Sequence, residues 1–312
     1  MAKVTVVGSG FVGMTTAQRI VEDNLADVCL IDVIEGKPQG IALDLMQSGP
    51  VRGYSSRIVG TNDPKETYGS DMVIVTAGVP RKPGMDRSDL LGVNAKIIGA
   101  VADYVKAGSP NAIVLVVTNP LDTMAYLMRS KLGGPSERVI GMAGVLDSAR
   151  FRAFIAMELG VSFECVHAMV LGGHGDSMVP VPKYSTVSGI SIEELMTPEQ
   201  IKRLSDRTRN GGAEIVNLLK TGSAYYAPAA SVVEMAHSIL RDQKRLLPCA
   251  AYLTGQYGLN DIYMGVPCVL GRKGVERIID LKLNDADRAS LHKSADAIRK
   301  DLVLLKQAGH MA

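Results

Sequence analysis

The sequence predicts an α/β protein: a Rossmann doubly wound parallel sheet followed by a second, α+β substrate domain. Three observations carry this expectation. Short, near-continuously apolar runs alternate with longer helical stretches through the first half of the chain, the pattern of parallel strands buried on both faces and joined by helices. A glycine-rich turn separates the first of these strands from the first helix. The second half then changes to longer helices, with more alternating strands set off by turn residues.

In order along the chain, the candidate strands of the first half are KVTVV from Lys3, DVCLID from Asp27, MVIVTA from Met72, AIVLVV from Ala112 and RVIGM from Arg138. Helical stretches between them include FVGMTTAQRIVEDN from Phe11 and LGVNAKIIGAVADYVKAG from Leu91. The domain boundary is expected near Gly144, giving residues 1–143 and 144–312; no Pro/Ser-rich linker lies there, so the two parts should pack tightly. Beyond it, FECVHAMVLG from Phe163 alternates and leads into LGGHGDSMVP. Thr197 is placed to cap a long helix, with Pro198 at its first position and Gln200 completing a capping box. The run RDQKRLL near Arg241 reads as a solvated helix face. DIYMGVPCVLGRKGVERII reads as a strand pair turning at GRKG. In the final helix from Asp285, Leu291, Ala295, Ile298, Leu302 and Leu305 recur on one apolar face.

Composition narrows the function classes. Hydrophobic residues make up 46%, charged residues 21%, and the net charge is +2, which gives no reason to expect nucleic acid or an anionic membrane as partner. Cys29, Cys165, Cys249 and Cys268 form no C-x-x-C pair, so no metal site and no thioredoxin-like chemistry is expected. No signal-like apolar segment opens the chain, and no apolar run approaches the roughly 18 residues of a membrane span. A cytoplasmic enzyme is the expectation.

Two sets of residues carry chemistry. The first is GSGFVG, which comprises Gly8, Ser9, Gly10, Phe11, Val12 and Gly13 and has G-x-G-x-x-G spacing. It follows a strand, opens a helix, and is answered about 20 residues later by an acid, Asp32, at the end of the next strand. Gly8 permits the tight turn, Gly10 lets backbone approach a pyrophosphate, and Gly13 lets the helix pack close to the sheet. The helix N-terminal N–H groups then face phosphate. Asp32 can accept hydrogen bonds from ribose hydroxyls and would repel a 2′-phosphate, which favours NAD over NADP.

The second set is spread over several loops. Arg81 and Arg87 flank Pro83 and Gly84 in AGVPRKPGMDR, after the strand at Met72. Asn119 lies in VTNP, Asp147 and Arg150 in LDSARFR, and His174 among three glycines in LGGHGD. Arginine forks suit carboxylates. A histidine suits proton transfer near neutral pH, and an aspartate can fix its tautomer.

With these motifs in this order, the chain resembles the lactate/malate dehydrogenase superfamily over essentially its whole length. More narrowly it is similar to the bacterial malate enzymes that lie closer to lactate dehydrogenases. The resemblance implies reversible, NAD-dependent oxidation of (S)-malate to oxaloacetate, a reaction of the tricarboxylic acid cycle. It implies His174 as acid/base paired with Asp147. Arg150 would hold the C1 carboxylate, Arg87 would polarise the reacting carbonyl, and Arg81 would hold the second carboxylate. Asn119 would bind substrate and orient the nicotinamide, while Asn94 and the backbone of Val117, Thr118 and Asn119 would line the cofactor site. Ala224, in TGSAYYAPA, matches a position where lactate enzymes usually carry a larger polar residue. A homo-oligomer is implied, a tetramer in preference to a dimer. The rival readings are L-lactate dehydrogenase, against which Arg81 argues, and a non-catalytic NAD-binding redox sensor, which has no need of Asp147, Arg150 and His174 together.

Overall fold

A computed structural model of the chain describes residues 1–79 and 87–311, with the side chains of Arg87 and Ser88 outside the description. The first half runs β1 (Lys3–Val7), α1 (Phe11–Glu22), β2 (Asp27–Ile31), α2 (Lys37–Arg52), β3 (Ile58–Thr61), β4 (Met72–Val75), α3 (Arg87–Gly108), β5 (Ile113–Val116), α4 (Leu121–Leu132) and β6 (Val139–Gly141). The second half runs α5 (Gly144–Leu159), β7 (Val166–His167), β8 (Val170–Leu171), β9 (Val179–Pro180), β10 (Thr186–Val187), β11 (Ile190–Ser191), α6 (Ile192–Leu195) and α7 (Pro198–Leu219). It closes with α8 (Tyr226–Leu240), β12 (Arg245–Thr254), β13 (Asn260–Gly271), β14 (Gly274–Ile278) and α9 (Asp285–Gln307).

Strands β1 to β6 pair in parallel, in the order β6-β5-β4-β1-β2-β3. The order reverses between β1 and β4, and a crevice at such a switch point is where doubly wound sheets bind ligands. The apolar runs are unbroken because both faces are covered. Val6 and Ile74 point into a core shared with α1 and α8, while Val7, Val73 and Val75 point into one shared with α3 and α4. Neighbouring residues on one strand thus belong to different cores, as the two-residue period of a strand requires.

The same sheet continues into the second half. β12 and β13 form a long antiparallel ladder, β14 turns back at Gly271–Gly274, and β12 joins β6 through the pair Ala250 and Gly141. The result is one nine-stranded sheet. The GRKG turn stands where the sequence places it. RDQKRLL is corrected: α8 stops at Leu240, Asp242 and Lys244 turn the chain with positive φ, and β12 begins at Arg245. The basic residues there flank a turn instead of decorating a helix. The capping box at Thr197 and Gln200 is formed, with both reciprocal hydrogen bonds present. In α9, Leu291, Ala295, Ile298 and Leu305 are buried as the spacing requires, and Leu302 packs at the margin. No described helix is long and apolar enough to cross a membrane.

Candidate active site

The phosphate loop is shaped by what its glycines exclude. Gly8 has φ +98°, and a Cβ there would lie 2.8 Å from the Ala77 amide nitrogen. A Cβ on Gly13 would overlap the Gly8 carbonyl. At Gly10 nothing lies within 4 Å of the Cβ position, so the loop is tight behind and open in front. Gly10 is also the N-cap of α1, with no side-chain cap and no acid in the first turn. A helix start with no acid in its own first turn and with Gly10 open to solvent fits a pyrophosphate. The residues therefore fit a dinucleotide.

Asp32 follows β2 directly. Its Oδ2 accepts the Ser9 N–H at 2.6 Å and the Ser9 hydroxyl at 2.7 Å, and its Oδ1 accepts the Ile34 N–H at 3.0 Å. Burial opposes its charge, but these hydrogen bonds outweigh burial and hold the carboxyl below its ordinary pKa. Asp32 thus both organises the loop and presents a negative charge beside it. Asn94, 1% exposed, has its amide committed to backbone: it accepts from Val79 N and donates to Val79 O and Asn119 O. Thr118 donates to Ala77 O at 2.6 Å. These contacts bind the ends of β4 and β5 into one rim, on which Asn119 stands exposed before a cis peptide bond to Pro120.

His174 lies in the loop between β8 and β9, and its backbone N–H donates to Asp122 at the start of α4, three residues after Asn119 on the rim. Its Nδ1 is 2.9 Å from Asp147 Oδ2, and Nε2 has no partner among the described residues. Asp147 and Arg150 sit one helical turn apart on α5, so both face the loop. Arg150 Nη1 reaches Asp147 Oδ1 at 3.4 Å, and Arg150 Nε, although buried, has no hydrogen-bond partner among the described residues. Burial opposes the protonated His174 ring, and the Arg150 charge opposes it further. The Asp147 charge and hydrogen bond, helped by Asp122, overcome both and raise its pKa. The site therefore holds a titratable ring whose pKa is raised from its ordinary value, next to an arginine with donors to spare.

Four residues escaped the sequence reading. Asp122, in the first turn of α4, accepts the His174 backbone N–H at 2.8 Å and is 4% exposed. Ser294 of α9 accepts the Gly173 N–H at 2.9 Å. Gly211 and Gly212, inside α7, lie against the Arg150 side chain: a Cβ on Gly211 would come within 3.1 Å of Arg150 Cδ, and one on Gly212 within 3.7 Å of Nη2. A glycine pair in mid-helix is the one signal that the sequence offered. Arg81 and the Arg87 side chain lie outside the described residues, although α3 begins at Arg87.

The chain matches the lactate/malate dehydrogenase NAD-binding domain over residues 2–141 and the corresponding α/β C-terminal domain over residues 144–308. It is 56% identical to a malate dehydrogenase of Roseiflexus sp. (strain RS-1) over 304 residues, 97% of this chain and 98% of the relative. It is 58% identical to a malate dehydrogenase of Chloroherpeton thalassium over 299 residues, 96% of each. Among solved structures, the malate dehydrogenase of Cryptosporidium parvum matches with a TM-score of 0.95 at 46% identity, covering 98% of this chain and 99% of the other. The lactate dehydrogenase of the same organism, complexed with lactic acid and NAD, matches with a TM-score of 0.94 at 44% identity, covering 98% of this chain and 98% of that one.

Proposed function

The chain belongs to the lactate/malate dehydrogenase family, and from that premise we propose that it is an NAD-dependent malate dehydrogenase. The reaction is (S)-malate and NAD⁺ to oxaloacetate, NADH and a proton. The observation that carries the reading is His174 on Asp147 beside a buried arginine, at the rim of a dinucleotide cradle. Bound NAD supplies the acceptor for the hydride that leaves C2 of malate. The protein's own residues do the rest. In oxidation, neutral His174 takes the hydroxyl proton at Nε2; in reduction, the protonated ring returns it. Asp147 holds the tautomer with Nδ1 protonated and stabilises the charged ring. Arg150 pairs with the C1 carboxylate. Arg87 stabilises negative charge on the C2 oxygen, Arg81 pairs with the distal carboxylate, and Asn119 orients substrate. Gly8 to Gly13 hold the pyrophosphate and Asp32 the ribose, while Asn94, Val117 and Thr118 shape the rim.

Overall likeness does not choose between lactate and malate, since solved enzymes of both kinds match almost equally well. Support for malate comes from the curated relatives and from Arg81, because pyruvate has no second charge to meet. The working division is residues 1–143 for cofactor and 144–312 for substrate. The proposed assembly is a homotetramer, checked by sedimentation. The four free thiols suit the reducing cytoplasm.

The deciding experiment compares oxaloacetate and pyruvate reduction at fixed NADH in the wild type and in Arg81→Gln. Breaking one member of a buried ion pair costs about 3–5 kcal/mol, so oxaloacetate kcat/KM should fall by about 10²–10⁴. Pyruvate reduction should rise. An unchanged ratio, or a wild type that prefers pyruvate, overturns the malate reading.

A further inference from the structure

We propose that Asp122 is a positioning residue for His174: its carboxylate holds the His174 backbone through the amide and, with Asp147, places a second negative charge behind the ring. This rests on the reading of His174 as acid/base and adds a residue to that unit.

The geometry sets it apart from an ordinary first-turn helix acid. Such acids sit at the surface near the positive end of the helix. Asp122 is 4% exposed, one oxygen receives the His174 N–H at 2.8 Å, and the other has no hydrogen-bond partner among the described residues. A buried carboxylate oxygen without a partner is costly and calls for a reason. A neutral acceptor could hold the amide at lower cost. What a neutral acceptor cannot supply is charge.

The His174 loop is pinned at two consecutive amides by two different helices. Ser294 of α9 takes the Gly173 N–H and Asp122 of α4 takes the His174 N–H. The glycines leave this segment no bulky side chains to pack, so backbone anchors must set the ring's place. Among the described residues, the charged groups that act on the ring are Asp147 and Arg150 from α5 and Asp122 from α4; α9 contributes the uncharged Ser294. The two carboxylates favour the protonated ring and Arg150 opposes it. Burial pushes the Asp122 carboxyl itself up to about 7, against the His174 amide and charge, which pull it down. Each of the two groups thus favours the charged form of the other.

Two variants of the full-length protein separate the anchor from the charge. Asp122→Asn keeps an acceptor for the amide and removes the charge. Asp122→Ala removes both. Cofactor affinity, read by NADH fluorescence, should match the wild type in each, which also reports folding. For oxaloacetate reduction, kcat in Asp122→Ala should fall by about a hundredfold, the scale of a small misplacement of a catalytic group. Asp122→Asn should recover most of that loss at low pH, and its kcat/KM profile should have the acid/base pKa displaced downward. A profile that coincides with the wild type's, or an alanine variant with full kcat, overturns the proposal. His174→Asn is the comparator: if that variant keeps its turnover, the acid/base reading fails instead. If it loses turnover while both Asp122 variants behave as wild type, only the role of Asp122 fails.

Discussion

His174 depends on its neighbours for every property the reaction needs. Replacement by Asn should leave NADH binding intact and lower turnover by about 10²–10⁴, measured as steady-state kcat with folding checked by circular dichroism. The pH dependence follows from the sign of its shift. Burial resists the charged ring, yet Asp147 and Asp122 lift the pKa above 6.5. On the proposed mechanism oxaloacetate reduction uses the protonated ring, so its rate should hold at low pH and decline as pH rises through that raised value. Malate oxidation uses the neutral ring and should show the opposite limb. Asp147→Asn should move both limbs to lower pH; profiles that stay put would refute the pairing. His174 stood out in the sequence because glycines flank it, and Asp147 and Arg150 because they lie in LDSARFR, one of the motifs that carry the family resemblance. Asp122 was not, because two positions after Pro120 it looks like any acid at a helix start. Its burial depends on a loop more than fifty residues away in sequence.

Helix α7 shows a local rule yielding to a site. Gly costs about 1 kcal/mol relative to Ala inside a helix, and α7 carries two in succession. The same helix carries a formed capping box and exposed ion pairs such as Arg207–Glu214. Gly211→Ala should therefore leave the melting temperature level or raise it, while crowding Arg150 and raising KM for oxaloacetate with NADH affinity unchanged. A melting curve and one substrate titration test both halves; an unaltered KM would mean that Arg150 has room to move. Three elements that the sequence analysis did not name share a feature. β3 is four residues with Gly60 inside, α2 is interrupted by Gly40, Gly49 and Pro50, and β12 contains Pro248 paired opposite Pro267. Glycine and proline are the ordinary marks of a break. Here tertiary packing overrides them: a Cβ on Gly60 would overlap the Pro38 carbonyl of α2.

At the scale of the molecule, the two halves of the sequence share one sheet and one core. Val6, Ile74 and Leu115 from the first half pack in the same cluster as Val232, Met235, Ile262 and Leu291 from the second. Thermal unfolding should accordingly be a single transition in calorimetry, raised by NADH with the logarithm of its concentration above Kd. A fragment ending at residue 143 should fail to fold cooperatively, since it would expose that cluster and the free edge of β6. Two separate transitions would show that the halves are independent after all.

The seam between β6 and β12 also limits how such a protein can be recombined. Gly141 meets Ala250 there, and a Cβ on Gly141 would lie 2.6 Å from Leu121 Cδ2 and 2.7 Å from Ala250 Cβ. Three residues from distant parts of the chain thus occupy one small space, and a crossover at 143/144 separates Gly141 and Leu121 from Ala250. Chimeras that exchange cofactor halves between relatives should survive only when the incoming half carries glycine at this place and the retained half a residue no larger than alanine. The compatibility of the two modules in inheritance is then decided by one hydrogen atom in place of a methyl group.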